Sequence, residues 1–170
     1  MSRLEILVLA FVAALSVGFS STFAPSPKLI WNASASAPIG FYAVLPKHPL
    51  KVGDFVVVTP PDALAAFFAA RRYLPKGVPL LKHVAALPGQ IVCRLGSVVT
   101  IDGIAIASVL TRDRAGRLLP NWQGCRAISA NEIFLLNRSV ADSLDGRYFG
   151  PLPMASIIGR AKPLWTFTEP

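Results

Sequence analysis

Between Ile6 and Ala24 the chain carries no charged residue: ILVLAFVAALSVGFSSTFA. No other stretch restricts the fold so severely. As a helix the run is roughly 28 Å long, close to the hydrocarbon thickness of a bilayer. Three readings are open: a membrane anchor, the apolar region of a cleaved signal peptide, or a core helix. Signal-peptide apolar regions are usually shorter, and core helices this long and charge-free are uncommon, so the anchor is the first expectation. Arg3 and the α-amino group precede the run, partly offset by Glu5. The positive-inside rule then keeps the N-terminus in the cytoplasm and exports the rest. The expected organisation is an anchor or signal segment over 1–25 and an exported β-rich domain over 26–170.

The remainder reads as mostly β. Pro25, Pro27, Pro38 and Pro46 keep the next segment extended rather than helical. FVVV, after Gly53-Asp54 and before Pro60-Pro61, reads as a buried strand. PDALAAFFAARRYLP reads as the one short helix, with Asp62 as its cap, Arg71 and Arg72 at its C-terminal end, and Pro75 as its stop. PLLKHVAALPGQIVCRL gives two strands around a Pro88-Gly89 turn, and SVVTIDGIAIASVL gives a hairpin around Asp102-Gly103. EIFLL and ASIIGRAKPLWTF supply further strands, with polar loop between them over NRSVADSLDGRYFGPLP.

The net charge of +8 raises a nucleic-acid reading. The basic residues are scattered rather than gathered into a tract with interleaved aromatics, and export removes the nucleic acid. Anionic lipid headgroups are the more economical partner for the charge. Cys93 and Cys125 are the only cysteines, and no further ligand type clusters with them, so neither metal nor cofactor is expected. In an exported domain the two cysteines suggest one disulfide; in a retained one they would be buried thiols. His48 and His83 each follow a lysine and pair with no nucleophile motif.

A serine can use a lysine amine as its base if burial keeps that amine neutral. Lys82 has the required surroundings, with Pro79, Leu80 and Leu81 before it and Val84, Ala85, Ala86 and Leu87 after it. In a strand it shares a face with Leu80 and Val84 and points into the core. The alternative is an edge-strand lysine whose tip reaches solvent. NASASAPIGFY offers two serines, Ser34 and Ser36, just beyond the apolar run. Taken alone they fit a polar turn.

Three separated stretches resemble the signal peptidase I family. LKHVAALPGQ is similar to its K-R-V-x-x-x-P-G-D stretch, SASAP to S-x-S-M-x-P, and SLDGRYFG to S-x-D-S-R-x-x-G. The spacing from Ser36 to Pro38, the paired cysteines with NWQGC, and DGRYFGPLP resemble more closely the TraF-type conjugal transfer peptidases of the same clan. The resemblance implies a mainly β catalytic domain behind one transmembrane helix. It implies Ser36 as nucleophile, Lys82 as general base, and the Ser34 hydroxyl with the Ser36 N–H as oxyanion hole. Ser143 then holds the lysine, Asp145 and Arg147 form a bracing ion pair, Gly150 allows a close approach, and Gly53-Asp54 leads into a strand. The chain departs from the pattern at Gln90, His83 and Leu136, and without an aspartate at that last position Asn137 and Arg138 are weak site candidates. The implied substrate is an exported precursor, a prepilin in particular, met at the periplasmic face of the cytoplasmic membrane. A general leader peptidase and a non-catalytic tethered module are the competing expectations.

Overall fold

The computed structural model describes residues 2–22, 27–47 and 49–167, so His48 and the junction between segment and domain lie outside the described residues. The apolar run folds as helix α1, Arg3–Thr22. A reciprocal pair starts it: the Glu5 carboxylate accepts from the Ser2 nitrogen at 2.8 Å, and the Glu5 N–H donates to Ser2 Oγ at 3.3 Å. Its apolar side chains are exposed, from 52% at Val12 to 71% at Leu4. Among the described residues no helix is long and apolar enough to cross a membrane.

The rest is mainly β, as the sequence implies, but carries two further short helices where the sequence implies one. Strands β1 (Leu29–Asn32), β2 (Ile39–Leu45), β3 (Phe55–Val58), β4 (Leu80–Ala86), β9 (Glu132–Leu136), β10 (Leu152–Pro153) and β11 (Ile157–Phe167) form one antiparallel sheet. Its order is β1-β2-β11-β3-β4-β9-β10. The long β11 lies in the middle, pairing with β2 along one part and β3 along another. A second sheet, in the order β7-β6-β5-β8, comprises β5 (Ile91–Leu95), β6 (Val98–Ile101), β7 (Ile104–Ser108) and β8 (Gly124–Ala127).

The run FVVV is central for a physical reason: Val56, Val57 and Val58 are each 0% exposed, so both faces of β3 are covered. Val56 and Val58 pack with Val84, Ile133 and Leu135, while Val57 packs with Tyr42, Leu81 and Ala161. The second sheet closes over the far ends of β4 and β9 through Val92, Val99, Ile101, Phe134 and Leu136. The turn at Pro88-Gly89 therefore passes the chain from one sheet to the other rather than closing a hairpin. Asp102 and Gly103, at φ 49 and 81, do close the hairpin read from the sequence.

Three local expectations are corrected. Helix α2 spans Asp62–Ala70, and Pro61 is its N-cap, so Asp62 sits in the first turn and not at the cap. Arg71 is the C-cap and Arg72 lies beyond it. The polar stretch before β10 contains a short helix, α3 (Gly146–Phe149), whose N-cap is Asp145.

Candidate active site

Ser34 and Ser36 lie on the loop joining β1 to β2. Asn32, at the end of β1, folds this loop around its own amide. Its Nδ2 donates to the carbonyls of Ser34 (2.9 Å), Ala37 (3.0 Å) and Pro38 (3.0 Å), and its Oδ1 accepts from the Ser34 N–H at 3.0 Å. The Tyr42 hydroxyl adds a bond to the Pro38 carbonyl at 2.6 Å. The Ser36 N–H donates to Ser34 Oγ at 3.2 Å, and the two hydroxyls are 2.9 Å apart. Ser34 is exposed and Ser36 half-buried, with Ala37 buried beneath them.

Lys82 sits in mid-strand on β4 and is 2% exposed. The two-residue period of the strand puts it inward with Val84, as read from the sequence, and the edge-strand alternative is excluded. Its Nζ donates to Ser143 Oγ at 2.7 Å. Burial pushes the amine down to about 8 from its ordinary 10.5, against the Asp145 carboxylate, which raises it; Arg147 lowers it further.

Ser143, Asp145 and Arg147 come from the segment between β9 and β10, and all three are buried. Asp145 and Arg147 form a two-pronged pair, Nε to Oδ1 at 2.9 Å and Nη2 to Oδ2 at 2.8 Å. The guanidinium also ties the carbonyls of Asn137, Val140 and Ala141 to itself. A buried ion pair of this kind fixes the loop that presents Ser143. Gly150 is not a close-approach residue: a Cβ there would meet nothing within 4 Å, and its φ of 74 is what requires glycine. The close approach belongs to Gly146, where a Cβ would fall 2.6 Å from the Phe134 ring and 2.8 Å from the Leu135 carbonyl.

Asn137 is stronger than its sequence context implies. It is 2% exposed. Its Nδ2 donates to the Ser36 carbonyl at 2.5 Å and to the Leu81 carbonyl at 3.1 Å. Its Oδ1 faces the His83 N–H and His83 Nδ1, both at 3.2 Å. One amide thus clamps the serine loop to the strand that carries Lys82, with its hydrogen-bonding capacity filled. The sequence signals for it are an Asn directly after an apolar strand and the Asn-Arg pair of the family pattern, weakened by Leu136. Gln90, where the pattern has an aspartate, still braces its turn: Oε1 accepts from the Leu87 N–H at 2.9 Å and Nε2 donates to Asp102 at 2.8 Å.

Ser34, Ser36, Lys82 and Ser143 line one open cleft of about 610 Å³. The partner of Ser36 Oγ is Ser34 Oγ, and among the described residues no hydrogen bond joins Ser36 to Lys82. A serine hydroxyl and a buried, low-pKa amine thus line the same cleft. Such an arrangement is suited to attack on a carbonyl followed by proton return to the leaving group. Among the described residues no three metal-ligating side chains come together. Cys93 and Cys125 are directly opposed on β5 and β8 and form a disulfide, which staples the second sheet and not the cleft.

The family model described as signal peptidase, peptidase S26, matches residues 3–165. The chain is 36% identical over 148 residues to the conjugal transfer protein TraF of Agrobacterium fabrum (strain C58 / ATCC 33970), covering 80% of this chain and 81% of that one. It is 29% identical over 171 residues to the plasmid transfer protein TraF of Escherichia coli, covering 94% and 93%. Among solved structures, a signal peptidase I from Enterococcus faecalis V583 aligns at 19% identity with a TM-score of 0.41, covering 68% of this chain and 98% of that chain.

Proposed function

The chain belongs to the signal peptidase family, peptidase S26, and on that premise we propose that it is a Ser/Lys endopeptidase that processes an exported precursor, specifically a conjugative prepilin. The observation that carries this reading is the buried amine of Lys82, bonded to Ser143 in the cleft that Ser36 also lines. Ser36 Oγ attacks the scissile carbonyl while Lys82 takes its proton. The oxyanion is received by the Ser36 N–H and the Ser34 hydroxyl; each such donor is typically worth about 3–4 kcal/mol in the barrier. Lys82 then returns the proton to the departing amine, leaving an acyl-enzyme on Ser36. Water resolves the ester to a shortened product, or the substrate's own amino terminus resolves it to a ring. Ser143 holds the Lys82 amine directly, and the Asp145–Arg147 pair fixes the segment that presents Ser143. The prepilin assignment is supported by the similarity to conjugal transfer proteins.

We place the protein at the cytoplasmic membrane with residues 26–170 in the periplasm and α1 as the anchor. The exposed apolar side chains of α1 support this, as does an exposed aromatic cluster on β1, β2 and β11. There Trp31 lies 4.7 Å from Phe41, and Trp165 lies 4.6 Å from Phe167. Exposed tryptophan and phenylalanine suit the headgroup level of a bilayer. Membrane lipids are then a partner, and nucleic acid is not.

The test is co-expression with a candidate prepilin and intact-mass analysis of the product, for wild type, Ser36→Ala and Lys82→Ala. A precursor shortened only by wild type supports the reading, and a further loss of one water shows ring closure. Shortening of many unrelated exported precursors would favour a general leader peptidase. Full biological function with both variants would leave only the non-catalytic tethered module.

A further inference from the structure

Beyond Ser36 and Lys82 the cleft runs between the C-terminal end of α2 and the loop over 110–119, and that far wall is basic. Five arginines line it, Arg71, Arg72, Arg112, Arg114 and Arg117, against two carboxylates, Asp113 and Asp142. Two of the arginines are neutralised. Arg117 pairs with Asp113 at 2.7 Å and Arg114 with Asp142 at 2.5 Å. A hydrogen bond from the Tyr73 hydroxyl, helped by Arg117, holds the Asp113 carboxyl well below the usual range, so it stays ionised.

The other three have no carboxylate partner among the described residues. Arg71 donates to the Leu118 carbonyl at 2.5 Å with its guanidinium 4.6 Å over the Phe67 ring, and Arg112 donates to the Gly116 carbonyl at 2.6 Å. These contacts, with Arg117 Nη1 on the Arg71 carbonyl at 3.1 Å, brace the helix end against the loop. They leave the positive charges of Arg71 and Arg112 uncompensated.

Arg72 is the telling residue. Its backbone is left-handed, at φ 57. Its N–H bonds to the Ala69 carbonyl at 3.0 Å and the next N–H, from Tyr73, bonds to the Phe68 carbonyl at 2.9 Å. That is the Schellman arrangement, whose left-handed position is normally filled by glycine because a Cβ is unfavourable there. Here an exposed arginine occupies it and lines the cleft, with no hydrogen bond or ion pair from its side chain among the described residues. A backbone outlier at a cleft wall points to use of the side chain it carries.

We propose that this wall is an anion subsite that receives carboxylates of the precursor, from Asp or Glu side chains within a few residues of the scissile bond. The identity of the ligand as a peptide rests on the peptidase reading above, since any chain delivered to Ser36 lies in the same cleft as these guanidiniums. Small residues before the bond occur in every exported precursor; an acidic flank read by arginines would separate one precursor from the rest. The features suited to lipid, α1 and the aromatic cluster, sit on other elements.

The probe is a pair of short fluorescent peptides with alanine at the two positions before the bond, flanked by glutamates in one and glutamines in the other. Binding is measured to the full chain carrying Ser36→Ala in neutral detergent. The Glu peptide is expected to bind about tenfold more tightly, with the ratio shrinking toward one as salt rises to about 0.5 M. Adding Arg72→Gln or Arg112→Gln should cut the ratio severalfold, and Arg72→Lys should keep most of it. Arg72→Gly separates charge from folding, because it relaxes the backbone: the ratio should fall while the melting temperature holds or rises. An unchanged ratio in these variants overturns the subsite. So does a loss confined to binding of phosphatidylcholine vesicles containing about a third phosphatidylglycerol, which would make the wall a lipid-headgroup site. Cleavage by wild type is scored separately. Glu-selective, arginine-dependent binding without cleavage sinks the peptidase reading and leaves the subsite, whereas cleavage of both peptides with no difference in binding does the reverse.

Discussion

The serine side and the lysine side of the cleft are made in opposite ways. Ser34 and Ser36 stand on an accessible loop whose shape is set by hydrogen bonds to Asn32, Tyr42 and Asn137. Lys82 stands in mid-strand, where its position is set by the pairing of β4 with β3 and β9 and by apolar neighbours. A nucleophile has to be reached by a substrate, so its segment cannot be buried and must be fixed by polar bonds. A lysine base has to be dry to lose its proton, so its segment can be fixed by packing. Asn137 belongs to both, through its bonds to the Ser36 and Leu81 carbonyls.

The contrast is broken most severely at the two centres. Ser36→Ala and Lys82→Met should each reduce peptide cleavage by at least ~10³-fold, yet they should differ in stability. The folded chain holds Lys82 at about 8 against 10.5 when unfolded, so the unfolded chain binds the extra proton. Stability should rise with pH between these values. The depressed amine costs about 3 kcal/mol, fully present below pH 8 and gone above 10.5. Lys82→Met should recover most of that at neutral pH in urea titrations, and Ser36→Ala none of it. An equal stability change in the two variants would undo the contrast. Activity of wild type should climb with pH through about 8 as Lys82 becomes neutral; a rise seen only near 10.5 would mean the amine is wet.

Asn137→Asp comes next. It sets a carboxylate against the carbonyls of Ser36 and Leu81 and should cost about 10²-fold in kcat through misplacement of the loop against the strand, with a smaller change in KM. Asn32→Ala strips partners from the Ser34 N–H and the Ala37 carbonyl, and should cost about tenfold in cleavage and about 1–3 kcal/mol in stability, with Tyr42 and Asn137 still holding the loop. The smallest effect on the cleft is expected from replacing Cys93 and Cys125 with serine. That pair closes a loop with a sequence separation of 32 and should contribute about 3–4 kcal/mol to stability, while kcat/KM stays near wild type.

The lysine side was the more legible in the sequence, and the reason is the same contrast. A two-residue period and an apolar neighbourhood are local, so FVVV, EIFLL and the inward face of Lys82 can be read from a few residues. The Asp102-Gly103 hairpin is local as well. The serine side was readable only as extended chain with two hydroxyls, because its conformation depends on an amide in β1 and a partner 101 residues away. Asn137 is only a weak candidate in the sequence for that reason. Helix α3 was hidden because a single turn within a polar stretch has no period to detect, and the glycine roles were exchanged because close approach depends on Phe134, which lies on another element. The backbone strain at Arg72 has no sequence signature at all.

The central place of β11 has a consequence in time. β2, which carries the serine loop, and β3, which lies beside the lysine strand, are not hydrogen-bonded to each other; β11 joins them. Until residues 157–167 have arrived and inserted, no backbone ladder joins the hairpin of β1 and β2 to β3, β4 and β9. A chain made from its N-terminus therefore has almost the whole domain present before the halves of its cleft are locked into one sheet, so the order of the strands acts as a delay built into synthesis.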